Sequence, residues 1–258
     1  MDVEKYYDER APFYDGEYKT PFFKLYNAIT WDNIQRYLPE PEESLILDAG
    51  GGTGQWTIPL AEKGHNVVLA DISRGMLRQA RLKLEEKNIK NVTLQREDVT
   101  DMSFEDNTFD MILAQGDPLS YCENAENAVR ELYRVLKPGC YCSASVDSLH
   151  HMLLRIILLK RWDALEPILA TECAAFKNGF TIHYFTPQSL CKLFENAGFE
   201  VARIIGKPVF LSATPREKAN SLLEDEKTFQ KIVELELQYC DDVSLLGIAQ
   251  HLEIVGKK

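Results

Sequence analysis

The chain has 258 residues, 45% of them hydrophobic, enough for one large globular domain or a core with elaborations. Forty Asp and Glu stand against 29 Lys and Arg, a formal net charge of -11, and no basic block offsets the repulsion a nucleic acid would meet, so the composition argues for no nucleic acid partner. Cysteines 122, 140, 142, 173, 191 and 240 form no C-x-x-C pair and have no His at ligand spacing, which points to free thiols and no metal.

The opening "MDVEKYYDER" is acidic and aromatic where a signal peptide would be basic and then apolar. Nine aromatic residues crowd the first 31 positions: Tyr6, Tyr7, Phe13, Tyr14, Tyr18, Phe22, Phe23, Tyr26 and Trp31. From 45 to 147, strand-sized apolar runs alternate with helix-period segments. The strands are "LILDA" (45–49), "VVLAD" (67–71), "VTLQR" (92–96), "FDMILA" (109–114) and "YCSASV" (141–146). A helix over 73–87 has Ser73 as N-cap and Met76, Leu77, Ala80 and Leu84 on its apolar face; another over 124–137 stops at "KPG". This alternation predicts a doubly wound α/β fold with a parallel sheet.

Past 147 the rhythm changes. An apolar insertion carrying "HHMLLRIILLKRW" occupies 150 to about 180, too short and interrupted to span a membrane. Thr186 (N-cap), Pro187 (first helical position) and Gly198 (stop) frame a helix, followed by a strand through about Ile205. Thr214-Pro215-Arg216-Glu217 reads as a capping box opening a helical insertion, and "GIAQHLEIVG" as the last strand. The chain reads as cytoplasmic, without stable membrane insertion.

In "ILDAGGGTGQW" (46–56) four glycines lie between the first strand and the first helix. Glycine tolerates positive φ and lets backbone approach a ligand, so their placement points to a nucleotide-sized ligand. The dinucleotide pattern G-x-G-x-x-G fails at Gln55, and no Lys-Ser or Lys-Thr completes a P-loop. The match is acidic-x-G-x-G-x-G: Asp48, Gly50, Gly52 and Gly54. With "LADIS" and "REDVT" downstream, residues 45–147 resemble the class I S-adenosylmethionine-dependent methyltransferases. A cationic sulfonium with no phosphate also suits an acidic pocket better than a pyrophosphate would.

That resemblance implies a Rossmann-like, mostly parallel seven-stranded sheet with a terminal antiparallel strand and helical cap insertions. It implies S-adenosylmethionine as cofactor. Asp71 would hold the ribose hydroxyls with Ile72 on the adenine, and Asp98 the adenine amino group with Val99 offering backbone. Asp48, Ala49 and the amides of Gly50, Gly51, Gly52, Thr53 and Gly54 would hold the methionine end, with Gln115 and Gly116 near the methyl. The segment "YYDERAPFYD" resembles the N-terminal helix of small-molecule methyltransferases, the quinone-biosynthesis branch among them, where it closes as a lid; Tyr14 would then face the cofactor. The implied organisation is an aromatic lid over 1–40, a cofactor-binding core over 41–147, a cap over 148–185, and a C-terminal part over 186–258 with an insertion at about 207–247.

"GDPLSY" (116–121) lies where amino-methyltransferases of nucleic acids carry Asp-or-Asn-Pro-Pro-Tyr, but Leu119 replaces the second proline and Tyr121 comes one residue late. With the acidic composition this favours a small-molecule methyl acceptor and a monomer or homodimer. Asp117 is the leading substrate-side candidate and His183 the second, with orientation favoured over proton abstraction for Asp117. The rival readings are a non-catalytic cofactor-binding regulator, or another enzyme on the fold such as an aminopropyl transferase.

Overall fold

The computed structural model describes residues 2–41, 44–175 and 179–258; residue 1, 42–43 and 176–178 of the expected segments lie outside it. Strands β1 (Leu45–Ala49), β2 (Asn66–Asp71), β3 (Val92–Arg96), β4 (Phe109–Ala114) and β5 (Leu136–Asp147) come first in the chain. A small hairpin, β6 (Cys173–Ala175) with β7 (Thr181–His183), follows, and β8 (Glu200–Lys207) and β9 (His251–Lys257) complete the main sheet. The seven-stranded order is β3-β2-β1-β4-β5-β9-β8, with β9 antiparallel to both β5 and β8 and every other pairing parallel. This is the expected doubly wound fold.

The central strands are apolar along most of their length because helices cover both faces. Ile46, Leu47, Met111, Ile112 and Leu113 are completely buried. On one face, helices Ala125–Val135 and Pro187–Ala197 bury Leu132, Val135, Leu190 and Phe194 against the sheet. The other face takes the helix Pro21–Gln35, whose Phe22, Leu25 and Ile29 pack on Ile205 and on the 207–247 insertion.

Local signals explain most helix starts. The hydroxyl of Ser73 accepts from the Met76 N–H, and Thr186 forms a capping box with Ser189 ahead of Pro187. Two local readings are corrected. The helix after Thr214 starts at Arg216 with no side-chain cap, because Pro215 itself stands at the N-cap, and the insertion holds two helices, Arg216–Leu222 and Glu226–Tyr239, the second capped by Asp225. The last strand starts at His251, since Leu246–Ile248 form a 3-10 turn.

The sequence order reverses between β1 and β4, so the loops leaving them part and open a crevice at the carboxyl edge. The register of the outer strands sets a second feature there: Asp147 of β5, His251 of β9 and Lys207 of β8 lie in one cross-strand row.

Candidate active site

The glycine loop is fixed from below by Asp48. Its Oδ2 accepts from the Thr57 hydroxyl at 2.6 Å, while Oδ1 has no hydrogen-bond partner among the described residues. Burial pushes its carboxyl up to about 6. The Gly50 and Gly51 N–H groups both donate to the Ala70 carbonyl, which ties the loop to β2. A Cβ on Gly51 would sit 2.8 Å from the Asp48 carboxylate. At Gly52 (φ +55°) a Cβ would meet no atom of the described residues within 4 Å, so this backbone faces open space.

Asp71 ends β2 at the rim of the loop. Its Oδ2 accepts from the Gly52 N–H at 2.9 Å and its Oδ1 from the Ser73 N–H at 2.8 Å. Burial outweighs both bonds and raises its carboxyl to about 6.

A cavity of about 670 Å³ lies over the loop. Of the residues singled out from sequence, Tyr14, Gly50, Gly51, Gly52, Thr53, Asp71, Ile72, Asp98, Val99, Gln115, Gly116 and His183 line it. Asp48 and Ala49 lie behind the loop, completely or almost completely buried, and Gly54 (φ +87°) packs towards Leu69 and Ile58. Asp98 also serves its own turn, its Oδ1 accepting from the N–H and hydroxyl of Thr100. Gln115 turns its amide inward, donating to Ser143 Oγ and accepting from Lys207 Nζ, each within 2.9 Å.

Three acids hold the N-terminal segment on this cavity. Asp8 accepts from Ser73 Oγ and the Gly75 N–H, Asp15 from Thr53 Oγ1 and Lys83, and Glu4 takes both bonds of Arg96 Nη2. Above them the rings form a run: Tyr7 to Tyr14, Tyr14 to Tyr18 and Tyr18 to Phe23 with centroids 6.2, 4.7 and 4.4 Å apart, then Phe23 to Tyr26 and Tyr26 to His251. Tyr7, Tyr14, Tyr18 and Tyr26 all line the cavity.

Asp117 is turned differently from the other candidates. It has a left-handed backbone (φ 66°) before Pro118, is buried, and places Oδ2 at 2.9 Å from His251 Nδ1, outside the cavity wall. Burial raises its carboxyl, but His251, Ser145 and Lys207 together outweigh this and hold it below the ordinary range. His251 is shifted the other way: burial lowers it, yet Asp117 and Asp147 prevail and raise it. Asp147, 3.9 Å from the same ring nitrogen, is pushed up to about 6 by burial. Sequence reasoning missed Asp147 and His251. The available signal was a run of polar residues, Gln250, His251 and Glu253, in an otherwise apolar final strand. Behind them Lys207 is completely buried, pairing with Glu253 and donating to Thr30 and Gln115. His183 lines the cavity and lies 3.2 Å (Nδ1) from Cys173 Sγ, whose thiol burial raises.

Residues 46–139 match the family model described as a methyltransferase domain. The tRNA 5-carboxymethoxyuridine methyltransferase of Escherichia coli K12 is 26% identical in an alignment that spans all of this chain and 97% of that protein. The demethylmenaquinone methyltransferase of Listeria welshimeri is 33% identical over 142 residues, covering 53% of this chain and 58% of that one. Among solved structures, a methyltransferase of Methanosarcina mazei superposes with a TM-score of 0.62 at 22% identity, covering 88% of this chain and 96% of that one.

These findings correct one expectation. A small-molecule acceptor with no nucleic acid partner does not stand, because the end-to-end relative is a tRNA methyltransferase and the quinone-branch likeness stops at about half the chain. The physical reason is that net charge sums the whole surface, whereas a polyanion meets only one face; Arg155, Lys160, Arg161 and Arg216 are exposed on the two insertions despite the net charge of -11. Among the described residues no helix is long and apolar enough to cross a membrane. The domain match, the relatives and the sheet order lead to one conclusion: the chain has the class I methyltransferase fold and is an enzyme that uses S-adenosylmethionine as its methyl donor.

Proposed function

We propose that this enzyme methylates RNA, and that its acceptor is an anionic oxygen, a carboxylate carried by a tRNA nucleoside. The observation that carries this reading is the end-to-end alignment with the tRNA 5-carboxymethoxyuridine methyltransferase, which includes both insertions. Two features of the site support it. The rings of Tyr7, Tyr18, Tyr26, Tyr121 and Phe180 line the cavity and offer faces on which a base can stack. The paired acid-base groups at the edge also give little support to proton abstraction: Asp117 is held below the ordinary range and His251 above it, and Asp147, raised to about 6, lies with them outside the cavity wall. A carboxylate acceptor is already ionised at neutral pH and asks for no base.

For the cofactor, Asp71 and Ile72 would take the ribose and adenine, Asp98 and Val99 the adenine edge, and Gly50 to Gly54 above Asp48 the methionine end. The fit rests on the open face of Gly52, on Asp71 at the cavity wall, and on the buried Oδ1 of Asp48, which has no partner among the described residues and would put negative charge beneath a cationic ligand. When bound, the cofactor supplies an activated methyl group on a sulfonium. The chain's own task is then alignment and exclusion of water. Residues 1–40 would act as the lid, and Asp117, paired with His251, would orient the acceptor's side of the site, with His183 at its far rim.

The test is methyl transfer to bulk tRNA with a methyl-labelled donor. Label in tRNA nucleosides supports the reading; cofactor binding without any label in RNA refutes it.

A further inference from the structure

The two insertions meet at Gln250, beside His251: its side-chain oxygen accepts from Arg216 at 3.5 Å, and its carbonyl accepts from the Ser148 N–H that opens the helix carrying His151 and Arg155. Arg155 lies one helical turn after His151 on the helix Leu149–Leu158, so both share a face. Arg216 opens the helix Arg216–Leu222 of the other insertion, and its guanidinium stacks on Phe22 at 3.4 Å from the ring centroid and within 5.1 Å of Phe23. Phe23 in turn touches Tyr18 and Tyr26 of the cavity wall.

Among the described residues neither Arg155 nor Arg216 forms an ion pair; the Arg216 guanidinium reaches only the Gln250 amide oxygen, at 3.5 Å. Burial and the charge of Arg155 together lower the Arg216 guanidinium to about 10. The charge of Arg155 lowers the Asp147 carboxyl, but that carboxylate is already shared with His251. His151 is 8% exposed, and its Nδ1 has no partner among the described residues. In a protein with eleven surplus negative charges, two arginines without an ion pair among the described residues are unusual. Fixed, stacked guanidinium groups are suited to an oxyanion because their forked donors match its two oxygens.

We propose that Arg216, Arg155 and His151 form an oxyanion subsite for the methyl acceptor, taking a carboxylate of the modified base or a phosphate next to it. Arg216 is held by the Phe22 stack, Arg155 supplies the second positive charge, and neutral His151 can donate a ring N–H to the same oxyanion. The subsite rests on the reading of the acceptor as an anionic RNA.

The experiment loads the protein with S-adenosylhomocysteine and titrates phenoxyacetate and, separately, inorganic phosphate, followed by calorimetry at low salt. The wild type should bind at least one probe. Arg216→Gln and Arg155→Gln should each weaken that binding by about tenfold or more, the loss expected for a charged hydrogen-bond donor. Arg216→Lys should recover part of it, and affinity for S-adenosylhomocysteine should stay unchanged in all three, which also shows that they fold. A preference for phenoxyacetate assigns the subsite to a base carboxylate, a preference for phosphate to the backbone. A wild type that binds neither probe, or Gln variants that bind as the wild type does, overturns the proposal. If the probes bind as expected but no tRNA is labelled, the acceptor assignment falls and the subsite stands. If tRNA is labelled and both Gln variants remain fully active, the acceptor assignment stands and the subsite falls.

Discussion

Asp48 and Asp71 are both buried carboxylates raised to about 6, yet they ask different things of the fold. Asp71 engages two backbone N–H groups and keeps its remaining lone pairs at the cavity wall. Asp71→Ala should therefore weaken binding of S-adenosylhomocysteine by about 1.5 to 3 kcal/mol, the range for a hydrogen bond to a charged group, as read by calorimetry. Unchanged affinity in a folded variant would remove Asp71 from the cofactor site. Asp48 leaves one oxygen without a partner among the described residues. A folded pKa above the unfolded value means a contribution to stability that is complete below about 4 and lost as the pH rises through about 6. Ionised Asp48 then costs the unliganded fold about 3 kcal/mol at neutral pH. Asp48→Asn should raise the Tm at pH 8 by about 5 °C while weakening the cationic cofactor. Both carboxylates protonate together on acidification, so wild-type cofactor affinity should fall at least about tenfold between about pH 7.5 and pH 5. A flat profile would contradict that. Gly52→Val meets no atom of the described residues but places a branched side chain at φ +55°, so it should abolish binding while costing the fold only about 1 to 2 kcal/mol.

At the scale of elements, the N-terminal segment is held by Glu4, Asp8 and Asp15 against Arg96, the Ser73 and Gly75 turn, Thr53 and Lys83. None of these contacts is needed for strand pairing. Deleting residues 1–20 should leave far-UV circular dichroism of the sheet intact and abolish turnover as water enters the cavity; a fully active truncation would reduce the aromatic run to packing. The Lys207 and Glu253 pair behaves in the opposite way, since both are completely buried. Glu253→Gln leaves Lys207 with an uncompensated charge and should cost about 3 to 5 kcal/mol in denaturant unfolding. The same elements show what sequence can reveal. Strands buried on both faces announce themselves as apolar runs, and Ser73, Thr186 and Gly198 mark helix ends because capping is local chemistry. Thr214 carried the same signal and failed, because Pro215 occupies the cap position. The pairing of Asp117 with His251 had no local signal at all. It exists because β9 inserts antiparallel between β5 and β8, bringing positions 117, 147 and 251 together through register, which spacing along the chain does not encode.

On the scale of the whole molecule, the charge balance misdirected the acceptor assignment. A net charge of -11 sets the long-range field, but at physiological salt that field is screened beyond about 8 Å, and recognition passes to whichever side chains touch the ligand. The cations on the two insertions are few. Binding to tRNA should therefore show a shallow salt dependence, with a slope of log K against log[salt] of about -2 to -4 rather than the steep slope of a basic groove. A slope near zero would mean that phosphates play no part in binding. The central claim is tested most directly by incubating the intact enzyme with methyl-labelled S-adenosylmethionine and tRNA, digesting the RNA to nucleosides, and treating a portion with mild alkali. The expected result is label in a tRNA nucleoside and its release by alkali, as a methyl ester requires. Label that survives alkali would place the methyl on another atom and contradict the carboxylate assignment, and RNA that stays unlabelled while S-adenosylhomocysteine accumulates would contradict the RNA acceptor itself.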